Sequence, residues 1–173
     1  MAGVAAVVLG AVVAVETAAA LVAAVVDPVE EAQVEAGKSP IVAAIAAAER
    51  GTTGEIRVHL SKRRWDPDPF ARAQKIFAQL GMYRTNQRNA VLLYVNLRKR
   101  KFAIIGDEGI HQAVGGRYWQ ELSNALRDDL HSTHLENALA LAVRTIGLTL
   151  ARFFPAALEA SNPDELTNEI TED

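Results

Sequence analysis

The sequence predicts an α/β fold: a three-layer α/β/α sandwich in which helices flank a small mixed sheet. Three observations predict it. The segments run helix, strand, helix, strand, strand, helix, helix. The central run Ala90–Val95 (AVLLYV) is apolar at every position, as in a strand covered on both faces. Two long segments near 116–130 and 134–153 repeat apolar residues at helical spacing. Helices on both sides of a sheet meet the burial these patterns demand.

The elements follow in order. Ser39-Pro40 opens a helix, with Ser at the N-cap and Pro at the first position; Ile41, Ala44, Ile45 and Ala48 line its apolar face, and Gly51 ends it. Residues 54–60 alternate, with Ile56, Val58 and Leu60 on one face and Glu55, Arg57 and His59 on a solvated one, which predicts a half-buried strand. A loop with two prolines, SKRRWDPDP, leads to a helix over 70–80, closed by Gly81. The strands 90–95 and 101–105 are separated by a short basic turn, which predicts an antiparallel hairpin. The helix 116–130 carries Tyr118, Trp119, Leu122, Leu126 and Leu130. The helix 134–153 carries Leu135, Leu139, Ala142, Val143, Ile146 and Leu150, and Pro155 stops it.

Four regions result. Residues 1–26 form an apolar segment, 27–38 an acidic linker, 39–155 the folded domain, and 156–173 an acidic tail that reads as frayed. The apolar segment is long enough to cross a membrane or to serve as a signal helix. Against that, its Ala and Gly are only mildly apolar, Glu16 sits in its middle, and no basic residue flanks it. An apolar helix packed on the domain or on a partner, or a mis-called start, competes with that reading. Both membrane association and a cytoplasmic location stay open.

The chain has no cysteine, which excludes disulfides and thiolate metal sites. Its net charge of −3 hides an asymmetry. All 18 bases lie in residues 38–156, against ten acids, so the middle of the chain is strongly positive between acidic ends. Nucleic acid is the disfavoured partner: the runs Lys62-Arg63-Arg64 (with Trp65 beside it) and Arg98–Lys101 sit where loops and hairpin turns routinely carry charge. Zinc spacing, a phosphate loop, an internal repeat and a serine elbow are all absent from the sequence.

The residues that could carry chemistry gather around Gly106–His111. This stretch follows the end of a buried strand, where open α/β sheets place ligands. Asp107 and Glu108 offer hard oxygens for Ca²⁺ or Mg²⁺, and Glu55 joins them if its strand neighbours. The competing structural reading is a tight turn in which Asp107 caps the next helix. Arg88 could neutralise a phosphate, with Asn89 completing a metal or water shell; Arg84 and Asn86 flank them. His111, beside the acids, could act as an acid or base. His131 and His134 lie across a helix break, in surface or capping positions.

Several segments in register carry a family resemblance. They are Ile41–Glu49, Thr52-Thr53-Gly54-Glu55-Ile56-Arg57-Val58, Leu80-Gly81-Met82 with Thr85, and Arg88–Val95. Phe102–Asp107 with Gly109-Ile110, Trp119 and Phe153-Phe154-Pro155 complete the set. Together they resemble the TPM domain family, in its short bacterial branch. The resemblance implies the α/β/α fold and two functional expectations. One is a module that binds a divalent cation or a protein partner, to which the apolar segment 1–26, read by itself, adds the option of membrane association. The alternative is a weak metal-assisted phosphatase acting on phosphate monoesters through a metal-activated water. The longer branch has Asp-Asn-Gly-Val before the central strand, and this chain has Arg88-Asn89-Ala90-Val91. It also has a Gly-x-Gly-Leu-Glu turn, where this chain reads Gly106-Asp107-Glu108-Gly109-Ile110-His111.

Overall fold

The computed structural model describes residues 40–156 and 170–173. The apolar segment 1–26, the linker 27–38, the Ser39 cap and residues 157–169 lie outside the described residues. Helix α1 spans residues 40–49, starting at the predicted proline. Then come β1 (Ile56–Ser61), α2 (Pro69–Gln79), β2 (Val91–Asn96), β3 (Lys101–Gly106), α3 (Glu108–Ser132), α4 (Leu135–Phe153) and β4 (Thr171–Glu172).

The sheet has the order β3-β2-β1-β4. β2 and β3 form the expected antiparallel hairpin, with Val91 opposite Gly106 and Asn96 opposite Lys101. β1 runs parallel to β2, Ile56 opposite Val91, because α2 supplies the crossover that parallel pairing requires. Consequently β1 and β2 end together at Ser61 and Asn96, while β3 ends beside the start of β2.

Two cores sandwich this sheet. On one face Ile56, Val58 and Leu60 of β1, with Val91, Leu93 and Val95 of β2, meet α1, α3 and α4. On the other, Leu92, Tyr94, Ala103 and Ile105 meet Ala73, Ile76 and Phe77 of α2. With both faces covered, β1 is buried at all six positions. The alternation in residues 54–60 therefore does not mark a solvated face: Glu55, Arg57 and His59 are all buried.

The helix ends follow local chemistry. Asp68 caps α2, its Oδ1 accepting from Phe70 N at 3.0 Å and Ala71 N at 3.1 Å, with Pro69 next in the first turn. Gly81 takes a left-handed conformation (φ 68°) just beyond the helix, a backbone angle that glycine adopts without steric cost. α3 begins eight residues before the predicted 116. Gly115, at φ 73° and ψ 172°, breaks it there, so the sequence reading found the second of two joined segments.

The tail differs from expectation. Rather than fraying, Thr171 and Glu172 pair in parallel with His59 and Leu60 and extend the sheet at the β1 edge. Among the described residues, no helix is long and apolar enough to cross a membrane.

Candidate functional site

The predicted Gly106–His111 turn is a corner where β3 passes directly into α3. Asp107 is buried and caps that helix, its Oδ1 accepting from Glu108 N at 2.8 Å. The same carboxylate is gripped by Arg88 in a two-pronged pair: Nε to Oδ2 at 2.7 Å and Nη2 to Oδ1 at 2.8 Å. These hydrogen bonds hold the Arg88 guanidinium above its ordinary range. Arg88 reaches the acid from a left-handed backbone position, φ 52°. Its carbonyl accepts from Gly109 N at 2.8 Å and Ile110 N at 3.2 Å, so the loop before β2 is stitched to the first turn of α3 twice over. Glycine is required at 109 because a Cβ there would run into the carbonyl oxygens of Gln87 and Arg88. Gly106 likewise leaves room for the Trp119 ring.

The three acids proposed as metal ligands meet three different partners. Asp107 binds Arg88. Glu108 is exposed and accepts from Gln112 Nε2 at 3.1 Å, one helical turn on. Glu55 is fully buried, with Oε2 3.2 Å from Arg57 Nη2. Arg57 also meets Glu49 Oε1 at 3.4 Å and donates to Ile56 O at 2.7 Å, while Glu49 Oε1 accepts from Ile56 N at 2.8 Å. Among the described residues, no group of three or more His, Asp or Glu side chains is arranged to hold a metal ion. His111 turns to the core, its Nδ1 accepting from Trp119 Nε1 at 3.1 Å.

Asn89 lies beside the corner and is buried. Its Nδ2 donates to Thr53 Oγ1 at 3.1 Å and to Gln87 Oε1 at 3.4 Å, and Thr53 Oγ1 donates to Gln87 Oε1 at 2.7 Å. Asn89 Oδ1 accepts no hydrogen bond from the described residues. Asn86 is exposed, and Arg84 lies over the Tyr83 ring, 5.6 Å from its centroid, rather than over the corner.

A model of the TPM domain matches residues 23–148. The chain belongs to the TPM domain family. Its fold is similar to the NMR structure of the BA42 protein from the psychrophilic bacterium Bizionia argentinensis. That likeness has a TM-score of 0.72 and 36% identity, and covers 80% of this chain and 93% of that one. No curated protein matches the chain.

A second polar cluster sits at the other end of this TPM domain, where β1 and β2 finish, and the sequence reading missed it. His59 Nδ1 shares a hydrogen bond with Thr171 Oγ1 at 2.7 Å, and its Nε2 lies 3.3 Å from Asp173 Oδ1. Burial pushes the imidazole below its usual range despite the pull of Asp173. Burial also works against the Asp173 carboxylate, but hydrogen bonds from Ser61, Arg72 and His59 outweigh it and hold the group well below the usual carboxylate range. Next to it, Asp66 Oδ2 accepts from Tyr94 Oη at 2.7 Å and Asn96 Nδ2 at 2.8 Å. Burial pushes the Tyr94 phenol up to about 12. A sequence signal did exist for Glu49: it falls four residues after Ile45 on the apolar stripe of α1, an acid in a core position. Gln87 and Thr53 carried none.

Proposed function

We propose that this TPM domain is a protein-binding module rather than a metal-assisted hydrolase, and that its recognition surface lies over the corner, where Arg88 and Gln87 reach solvent above buried Asn89 and Asp107. One observation carries the reading. Both oxygens of Asp107 are taken by the fork of Arg88, one of them also by the helix N–H. A Ca²⁺ or Mg²⁺ ion needs about six oxygens free of competing cations. The donor set present does not fit such an ion while the guanidinium stands against the carboxylate. An arginine here replaces the acid that the longer branch of the family carries at this place. The partner suited to the corner meets its accessible groups, the part-exposed Arg88 guanidinium and the exposed Gln87 amide, which stand over the buried Asn89 and Asp107.

The test is a titration of the whole chain with Ca²⁺ and with Mg²⁺, followed by amide NMR. The wild-type amides of residues 106–111 stay in place, and those of Arg88→Asp shift saturably. Saturable shifts confined to 106–111 in the wild type overturn the proposal. So does wild-type hydrolysis of p-nitrophenyl phosphate that Asp107→Ala abolishes.

A further inference from the structure

The end of the sheet opposite the Asp107 corner gathers an exposed tryptophan and most of the chain's clustered positive charge. Because β1 and β2 are parallel, the loop 62–68 and the hairpin turn 97–100 leave the sheet side by side. They are tied together: Leu97 N donates to Ser61 O at 2.8 Å, and Asn96 Nδ2 donates to Arg63 O at 3.2 Å. Lys99 N donates to Asn96 Oδ1 at 2.9 Å. These two connections contain six bases (Lys62, Arg63, Arg64, Arg98, Lys99 and Arg100) and two acids. Both acids serve the fold. Asp66 is buried under Tyr94 and Asn96, and Asp68 caps α2. Arg63 also contacts Asp173, with Nη1 3.3 Å from Oδ2, while remaining about half exposed.

Trp65 stands in the middle of this surface with 83% of its area exposed. Its position is fixed from both sides, since Arg63 O and the Asp66 carboxylate are anchored to the same Asn96 side chain. Burying Asp66 turns its neighbour outward. A large indole held in water by a braced loop, with bases beside it in the loop and on the adjoining hairpin turn and with Asp173 engaged by Arg63 and Arg72, has the two features of an interfacial anchor. The ring suits the headgroup level of a bilayer, and the bases suit anionic phosphates.

We propose that this end of the domain, with Trp65 at its centre and Lys62, Arg63, Arg64, Arg98 and Lys99 around it, docks on the surface of an anionic lipid bilayer. A single-stranded nucleic acid fits the same charge less well. Such ligands are held by several aromatic platforms on which successive bases stack. The other markedly exposed aromatics among the described residues, Tyr83 and Phe153, lie away from these two connections: Tyr83 follows the far end of α2, and Phe153 ends α4. The surface is independent of the Asp107 corner, so substitutions at Trp65 leave that reading untouched.

The experiment uses the whole chain with phosphatidylcholine vesicles, alone or containing phosphatidylglycerol, by co-sedimentation and tryptophan fluorescence. The only other tryptophan, Trp119, is buried, so an emission blue-shift reports Trp65. The protein binds the anionic vesicles with a blue-shift, and binding weakens as salt rises. Trp65→Ala and the double variant Arg64→Glu/Lys99→Glu each lower partitioning roughly tenfold. Equal binding to neutral vesicles, or undiminished binding by both variants, assigns the contact to another part of the chain and overturns the proposal. Binding of a single-stranded oligonucleotide that quenches Trp65, without binding to anionic vesicles, overturns it in favour of nucleic acid.

Discussion

The imidazole of His59 lies flat against the ring of Tyr94, centroids 5.6 Å apart and planes 10° from parallel. This stack places a titratable group inside the α2 face of the sheet, facing Thr171, Glu172 and Asp173 from the tail and Arg72 from α2. Burial lowers its affinity for a proton, so the folded chain keeps it neutral below the ordinary value of 6.5. The unfolded chain takes up a proton as pH falls through about 6.5. The stability that neutral His59 contributes is therefore present above about 6.5 and is lost as pH drops below it. His59→Phe, which keeps the stack, flattens that loss. Urea midpoints at pH 7.5 and 5.5 converge in the variant and differ in the wild type. The lowered carboxyl of Asp173 acts in a separate window, its contribution being lost only as pH falls below the ordinary value of 3.8.

Removing Arg88 strips a buried carboxylate of its fork. Arg88→Ala lowers stability by about 3 kcal/mol, the low end for a broken buried pair because the arginine is itself 39% exposed. Chemical denaturation gives this value directly. Arg88→Lys recovers only part of it, since an ammonium cannot span both carboxylate oxygens.

Arg57 is the more deeply buried of the two arginines, with Glu49 and Glu55 on either side of its guanidinium. Arg57→Met leaves two buried acids without that cation, at a loss of about 3–5 kcal/mol. A melting temperature near that of the wild type would show that the triad is not held together by the arginine.

Glycine substitutions separate the corner from the rest of the fold. Gly109→Ala drives a methyl group against two backbone carbonyls and costs about 1–3 kcal/mol or more. Gly51→Ala meets only the Ala151 methyl, at 3.7 Å, and shifts stability by less than about 0.5 kcal/mol. Comparing the two variants by urea unfolding checks both.

Much of the architecture was legible in the sequence because its signals are local. The unbroken apolar run at β2, the short turn before β3, and the glycine after α2 each have one ready structural meaning. The burial of β1 was not legible. Alternation at Glu55, Arg57 and His59 normally marks water on one side, yet these polar groups are internal, Arg57 held between Glu49 and Glu55 and His59 against Tyr94 and the tail. The corner was half legible. Gly106, Asp107 and Arg88 were picked out, along with the capping role that Asp107 fills, but the fork between residues 19 apart in the chain depends on a left-handed Arg88 that no pattern announces. The His59–Asp173 cluster depends on a pairing across more than a hundred residues, beyond the reach of periodicity.

That long pairing bears on how the chain is made. His59 and Thr171, neighbours in the finished sheet, are 112 residues apart. As the polypeptide leaves the ribosome, the outer flank of β1 is synthesised well before the segment that covers it. For that interval its unpaired amides and carbonyls can accept a stray extended strand from another nascent copy. The late arrival of Thr171 and Glu172 ends this exposure, because their parallel pairing with His59 and Leu60 covers that flank of the sheet.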